Sequence, residues 1–206
     1  YGEPELSSSA PETKVLEKQI PINNKNYYLI TDAKQIDQWI REAEEVGEVS
    51  VDTETSSLDP HQADLVGISL CSKIGKACYI PVGHKSSNCL NKKSVIDKLK
   101  NLLEDPSIKK IGQNIKFDYI VFYKLGISLS SMEDTMLMSY VLDAGKNRHN
   151  MDTLSGIHLG HKTISFKEIV GTGKKEINFS EVELDKAKIM QQRMQILPLD
   201  YIKNFL

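Results

Sequence analysis

Acidic residues in two segments of the chain have types and spacing that could bind a divalent metal ion. Asp52 and Glu54 are separated by one residue, and Asp118 lies in a second polar segment. In an extended strand, alternate residues share a face, so Asp52 and Glu54 would point to one side and Thr53 to the other. Two carboxylates held close repel each other, and Mg²⁺ or Mn²⁺ would compensate their charge through the hard oxygen ligands that these ions prefer. The pair alone also fits a solvated strand end, because acidic residues are usually exposed.

Strands and helices that would position these residues follow from the spacing of apolar side chains. Alternation over 49–53 and the β-prone stretches 65–72 and 77–82 predict a three-strand meander, with the acidic pair at the end of its first strand. Shorter strands are expected at 26–30 and 109–112. Helices are expected at 36–43, 95–103, 115–125, 134–142, 151–159 and 180–189. The pattern predicts an α/β or α+β domain in which helices flank a central mixed β-sheet.

For two of the expected helices, the sequence indicates where the helix begins. Asn114 follows the predicted strand 109–112 at a strand-to-helix junction, and Asp118 comes about one helical turn after it. Ser180 with Glu183 three positions later has the spacing of a capping box and predicts the start of the last helix.

Composition restricts the class of protein. The 206 residues are 40% hydrophobic and 26% charged, with a formal net charge of −2, which indicates one medium globular domain. No apolar run approaches the ~20 residues of a membrane span, and the N-terminus lacks a signal-peptide pattern, so we expect a soluble intracellular protein. The three cysteines, Cys71, Cys78 and Cys89, form no CxxC or Cys/His cluster, so neither a disulfide framework nor a structural zinc site is indicated.

Two further segments differ from the average composition. Residues 1–24 contain three prolines and a run of three serines, and they are predicted to be a linker. Residues 144–175 contain six Lys or Arg against two acids, an excess of 6 − 2 = +4. The near-neutral total therefore includes a basic region that could contact phosphates.

The combined motifs resemble a known family. The octapeptide 52–59, DTETSSLD, is followed by 112–119, GQNIKFDY, and this pair resembles the 3′-5′ proofreading exonuclease domain of bacterial DNA polymerase I, a DnaQ-like exonuclease. Further matching blocks are 79–82, 134–137, 148–152 and 161–166. The resemblance runs from about residue 26 to about residue 187. It implies an RNase H-like fold, an exonuclease domain at 25–188 and a divergent tail at 189–206.

The resemblance also implies roles for individual residues. Asp52, Glu54 and Asp118 match the first three metal-binding carboxylates of the family. Those carboxylates hold two divalent ions, Mg²⁺ or Mn²⁺, roughly 3.5 to 4 Å apart, which activate a water and stabilise the leaving 3′ oxygen. Residues that match substrate-binding positions are Thr55, Leu58, Asn114, Phe117, Arg148 and Phe166.

Some of these residues also have an ordinary structural interpretation. Phe117 and Phe166 could be core residues rather than stacking surfaces for bases, and Arg148 could be a surface ion-pair partner. His149, His158 and His161 could be considered as ligands or general bases, but 149 and 161 lie in blocks that match family segments outside the catalytic set.

The third motif of the family is missing. That motif has a Tyr that orients the attacking water and, four residues later, an Asp that completes the metal site. By alignment these positions are Met190 and Met194. Neither thioether is a hard oxygen ligand, so the resemblance implies weak or absent activity.

The replacement has a pattern that suggests a shifted reading frame. A coding sequence for Tyr-Ala-Ala-Glu-Asp-Ala-Asp-Ile-Thr, read one nucleotide later, can be translated as Met-Gln-Gln-Arg-Met-Gln-Ile-Leu-Pro, which is the sequence of residues 190–198. We therefore expect that a single-base insertion or deletion near the codons for 187–189 placed the tail out of frame. The gene's nucleotide sequence tests this hypothesis.

The expected function is removal of nucleotides from single-stranded or frayed 3′ ends of DNA, in the manner of a proofreading exonuclease in replication and repair. Two alternatives stay open: a catalytically inactive nucleic-acid-binding or structural remnant of DNA polymerase I, and an RNA exonuclease similar to RNase D. We expect a monomer in the bacterial cytoplasm, associated with the nucleoid, and an ancestral chain that also carried a polymerase domain.

Overall fold

A computed structural model describes residues 26–85, 89–159 and 163–190. The predicted linker at 1–24, His161, Met194 and the tail beyond Met190 lie outside the described residues, as does the side chain of His158. No helix among the described residues is long and apolar enough to cross a membrane.

Six strands form one mixed sheet. They are β1 (Tyr27–Leu29), β2 (Glu48–Thr55), β3 (Leu65–Lys73), β4 (Lys76–Pro81), β5 (Lys109–Gly112) and β6 (Met132–Asp134), in the order β1-β4-β3-β2-β5-β6. Strands β2, β3 and β4 are antiparallel neighbours, which confirms the predicted meander. Strands β5 and β6 add to β2 in parallel, and β1 pairs in parallel with β4. Strand β2 therefore lies inside the sheet: its first residues, 48–50, pair with β5, and its acidic end pairs with β3 alone among the described strands.

Seven α-helices connect these strands or pack on them within the described residues. They are α1 (Ile36–Val46), α2 (Lys92–Glu104), α3 (Lys116–Lys124), α4 (Thr135–Asp143), α5 (Met151–Leu159), α6 (Phe166–Val170) and α7 (Leu184–Ile189). Helix α1 ends at Gly47, whose φ of 78° is the left-handed conformation that glycine adopts without strain.

Apolar side chains cover both faces of the sheet. On one face, Trp39 of α1 and Leu99 of α2 belong to the large core that includes Val51 and Ile80 of the strands. On the other face, a smaller cluster surrounds the buried ring of Tyr79 and includes residues of α6 and α7. Helices therefore flank a central mixed sheet, as the sequence predicts.

The last helix begins later than its sequence signal indicates. Residues 179–181 form a single 3₁₀ turn, and Asn178 caps that turn by accepting from the Ser180 backbone N–H at 3.0 Å. Helix α7 starts only after Glu183, so the prediction that Ser180 caps a helix over 180–189 is wrong. The Asn178 side chain supplies the local cap that competes with the capping box expected at Ser180. The short elements β6 and α6 have no counterpart among the predicted elements.

Candidate active site

The end of strand β2 carries the acidic pair. Asp52 lies opposite Ser69 of β3, and Glu54 lies opposite Gly67. The register shifts between Glu54 and Thr55, so the strand leaves the regular ladder directly after the second carboxylate. Glu54 is buried and Asp52 is half-buried, unlike a pair of acids at a solvated strand end. The local fold thus holds two carboxylates at the point where β2 turns away from the sheet.

Helix α3 brings Asp118 to the same place. Asp118 is only 2% exposed, and its Oδ1 accepts from the Thr53 backbone N–H at 2.8 Å and from the Thr53 hydroxyl at 2.6 Å. Strand alternation predicts Thr53 on the face opposite to Asp52 and Glu54, yet its hydroxyl contacts the third carboxylate. Thr53, which lies between Asp52 and Glu54 in β2, therefore links this strand to α3.

The turn before α3 has an unusual backbone conformation. Asn114 has φ of 62°, in the left-handed region that residues other than glycine seldom adopt. Its backbone N–H donates to Asp134 Oδ1 at 2.9 Å, which holds the turn against β6. The side-chain Oδ1 of Asn114 is buried and has no hydrogen-bond partner within the described residues. Strain and an unpaired oxygen at one turn are typical of functional sites.

The electrostatics of the acidic group favour a cation. Burial, and next the nearby charge of Asp52, raise the pKa of the Asp118 carboxyl well above its ordinary value. Burial, and next the charge of Glu54, likewise raise the pKa of the Tyr79 hydroxyl. A divalent cation would relieve this crowding of negative charge, and the donor set of carboxylate oxygens suits Mg²⁺ or Mn²⁺. Nevertheless, the described part of the chain contains no group of three or more His, Cys, Asp or Glu arranged as a metal centre.

One cavity of about 370 Å³ collects these side chains. Its lining residues are Asp52, Thr53, Glu54, Leu58, Gln113, Asn114, Phe117, Asp118, Met136, Asn150, Met151, Phe166 and Met190. Met190 is 5% exposed and also packs in the cluster around Tyr79. The structure thus places the side chain of Met190, which the alignment predicts at the Tyr position of the third motif, at the wall of the carboxylate cavity.

A second cavity of about 560 Å³ continues from the first. It shares Thr53, Glu54, Leu58, Phe117 and Phe166 with the first cavity. It is also lined by Thr55, Ser56, Ser57, Glu176, Ile177, Asn178 and Phe179. The two cavities form a groove that leads away from the carboxylates.

The remaining predicted site residues are distributed unevenly. Leu58 stands at the rim of both cavities with 89% of its surface exposed. The Thr55 hydroxyl donates to the Ser57 carbonyl at 2.9 Å. Arg148 is exposed and lines neither cavity. His149 also lies outside both linings, and its Nδ1 is 2.8 Å from the Ser139 hydroxyl.

Several residues of the groove have no signal in the sequence. Phe179 stacks on Phe166, with ring centroids 5.8 Å apart and an interplanar angle of 14°. The side-chain amide of Asn178 donates to the Ser56 carbonyl at 2.8 Å. Both contacts join segments that are distant in sequence, so no local pattern could have found them. Gln113, next to the predicted Asn114, could have been included from the strand-to-helix turn.

Comparison with known proteins agrees with the motifs. The family model described as 3′-5′ exonuclease matches residues 27–185. DNA polymerase I of Rhizobium leguminosarum is 40% identical over 189 residues, which cover 82% of this chain and 18% of that protein. These matches confirm the resemblance on which the residue assignments rest. The chain spans about a fifth of the length of such curated relatives.

Two solved structures share the fold of this chain. Escherichia coli RNase D has a TM-score of 0.61 and 18% identity, with 87% of this chain and 44% of that chain covered. Brucella melitensis NrnC with bound Mg²⁺ has a TM-score of 0.56 and 22% identity, with 79% and 73% covered. These likenesses confirm an RNase H-like α/β fold.

Proposed function

Since the chain belongs to the 3′-5′ exonuclease family of DNA polymerase I, we propose that it acts on 3′ ends of DNA by metal-dependent phosphodiester hydrolysis, at a reduced rate. The observation that carries the proposal is the joint position of three acidic side chains. Asp52, Glu54 and Asp118 line one cavity although they come from β2 and α3. A cavity wall of buried carboxylates is costly unless it binds a cation.

The three carboxylates would hold the divalent ion. When bound, Mg²⁺ or Mn²⁺ would lower the pKa of a water and stabilise charge on the leaving 3′ oxygen. Thr53 fixes one face of Asp118 through two hydrogen bonds to Oδ1, which orients this carboxylate before any ion binds. The Mg²⁺ in the structure of Brucella melitensis NrnC supports the choice of ion for this fold.

The groove beside the carboxylates would hold the 3′-terminal nucleotides. Exposed Leu58 would pack against the last base, and Phe117 and Phe166 offer apolar surface to unpaired bases. Thr55 and Asn114 would contact the terminal nucleotide and the adjoining strand. Arg148, which lies outside both cavities, would contact phosphates further along the strand together with the basic segment 144–175.

The reduced rate follows from Met190. Its thioether lies at the cavity wall, where it can neither orient a water as a Tyr hydroxyl does nor bind a hard cation as a carboxylate does. This observation also favours the second candidate function, an inactive nucleic-acid-binding remnant. The hypothesis of a shifted reading frame over 190–198 predicts that the gene encodes the Tyr and Asp motif in the neighbouring frame.

The choice of DNA over RNA rests on the relatives. The relative with 40% identity is a DNA polymerase, whereas the likeness to RNase D, at 18% identity, concerns the fold. We therefore propose single-stranded or frayed DNA ends as substrate, a monomeric domain and a cytoplasmic, nucleoid-associated setting in a bacterium. We also propose that an ancestral chain carried a polymerase domain beside this one.

A cleavage assay separates these functions. The protein is incubated with Mn²⁺ and a 5′-labelled single-stranded DNA oligonucleotide, and the products are resolved by length. We expect slow stepwise shortening from the 3′ end that Asp52→Ala abolishes. An identical product pattern for wild type and Asp52→Ala would favour the inactive remnant, and faster shortening of the matching RNA oligonucleotide would favour the RNase D-like alternative.

A further inference from the structure

The loop that follows β2 accepts three hydrogen bonds from the side chain of one lysine in helix α3. Residues 56–64 leave the strand after Thr55 and return to β3, with exposed Leu58 near the tip. Lys124, the last residue of α3, donates from Nζ to the carbonyls of Pro60 at 3.1 Å, His61 at 2.8 Å and Ala63 at 2.8 Å. An ammonium has three donors, so these three carbonyls use all of them.

Further hydrogen bonds close the base of the loop. The Ser56 N–H donates to the Asp64 carbonyl at 3.0 Å, and the Asp64 N–H donates to the Ser56 hydroxyl at 3.0 Å. Asn178 adds one hydrogen bond to the Ser56 carbonyl. Lys124 supplies three charge-assisted hydrogen bonds to the loop, and the Asp59 carboxylate adds one within it by accepting from the His61 N–H at 3.0 Å. Such bonds are roughly twice as strong as neutral ones.

Helix α3 connects this contact to the carboxylates. Asp118 lies in its first turn and Lys124 at its end, about 9 Å further along the helix axis at 1.5 Å per residue. The same rigid element therefore touches the acidic triplet at one end and the Leu58 loop at the other. A shift of α3 moves both contacts together.

We propose that Lys124 is a positioning residue that fixes the 56–64 loop, and through it Leu58, at the rim of the groove. The part that concerns Leu58 and DNA rests on the proposed function. The part that concerns the loop does not, so the two parts can be tested separately.

Amide hydrogen exchange tests the loop. In Lys124→Met, which keeps the apolar stem and removes the ammonium, we expect exchange at the amides of Ser56 and Ala63 to be about tenfold faster. Lys124→Arg should restore part of the protection, because a planar guanidinium reaches fewer of three converging carbonyls. Lys93→Met, at an exposed lysine of α2 that pairs with Asp97, is the matched control and should leave the loop unchanged. Equal exchange in Lys124→Met and wild type would overturn the proposal.

Binding of a DNA oligonucleotide with 2-aminopurine at its 3′ end tests the effect on Leu58. All variants carry Asp52→Ala so that the DNA stays intact. We expect Lys124→Met to weaken binding to an extent similar to Leu58→Ala. Weaker binding by Leu58→Ala alone would contradict the positioning role. If Leu58→Ala binds as tightly as its parent, the proposed substrate site is wrong, and exchange alone then decides the loop contact.

Discussion

Single residues decide what the cavity can do, and Met190 is the clearest case. Its side chain is buried against the cluster around Tyr79 and also reaches the carboxylate cavity. The fold therefore accommodates a large, mostly apolar thioether at this point of the cavity wall. A thioether neither donates a hydrogen bond nor binds a hard cation, so under the proposed alignment of Met190 with the motif Tyr we expect slow cleavage.

Restoration of the third motif should raise the rate of cleavage. We expect Met190→Tyr with Met194→Asp to increase cleavage of the single-stranded oligonucleotide at least about a hundredfold, the usual range for a well-placed catalytic group. The measurement is the single-turnover rate with Mg²⁺ and with Mn²⁺. Met132→Tyr, at a half-exposed methionine of β6 outside the carboxylate cavity, is the control. No gain in the double variant would contradict the alignment of 190 and 194 with the motif.

At the scale of elements, Asp134 joins a helix to the strained turn. Its Oδ1 accepts from the backbone N–H of Met136 at 2.9 Å, which caps α4, and from that of Asn114 at 2.9 Å. One carboxylate oxygen therefore stabilises the start of α4 and the turn before α3. Disturbance of α4 should reach Asp118 by this route.

Removal of this cap should reduce both stability and cleavage. We expect Asp134→Ala to lower the free energy of unfolding by about 1–2 kcal/mol and to reduce the cleavage rate, because the Asn114 turn loses its anchor. Asn91→Ala removes the N-cap of α2, whose side chain accepts from the Ser94 N–H at 3.0 Å, and should cost about 1 kcal/mol with no change in rate. Urea unfolding and cleavage of fully folded samples check both. Equal cleavage rates in the two variants would show that the Asn114 turn does not affect the site.

Most elements could be predicted from the local sequence, including the short strands β1 and β5, which were expected at 26–30 and 109–112. The apolar residues of α1 and α2 repeat with the period of a helix, and the stretches of β2 to β4 are typical of strands. The structure confirms both predictions. Strand β6 has three residues and exists through its pairing with β5, which no local pattern reports. The acidic residues were found by spacing and resemblance, whereas the contacts of Lys124 and Asn178 join distant segments and could not be.

At the scale of the whole molecule, the side chain of His84 connects the sheet to a segment that packs on one of its faces. Its ring lies 2.7 Å from the Tyr79 hydroxyl through Nε2 and 2.9 Å from the Val182 carbonyl through Nδ1. The carbonyl can only accept, so Nδ1 donates and neutral Nε2 accepts from Tyr79. Neutral His84 therefore links the end of β4 to the segment that leads into α7.

This link predicts a dependence of stability on pH. Burial lowers the pKa of His84 below its ordinary value of 6.5, although the Val182 carbonyl partly opposes this shift. The unfolded chain then takes up a proton at a higher pH than the folded chain. We expect this contribution to stability to be complete above pH 6.5 and to decline below it until the folded pKa is passed.

Urea unfolding between pH 8 and pH 5 measures the effect, as the difference between wild type and His84→Gln. The loss of stability in acid should be smaller in His84→Gln, while His61→Gln, at an exposed histidine, should follow wild type. Parallel curves for wild type and His84→Gln would show that the pKa of His84 is the same in the folded and the unfolded chain, which would contradict the prediction.

The order of the strands has a consequence for how the domain assembles. Strands β2, β3 and β4 are consecutive and antiparallel, so they can pair through short connections. Strand β5 joins β2 in parallel only after the chain has crossed over through α2, and such long-range pairing is slow. We therefore expect Asp52 and Glu54 to be in place before Asp118 arrives. A divalent ion should accordingly act late in refolding, slowing the unfolding of the finished domain rather than speeding its first collapse.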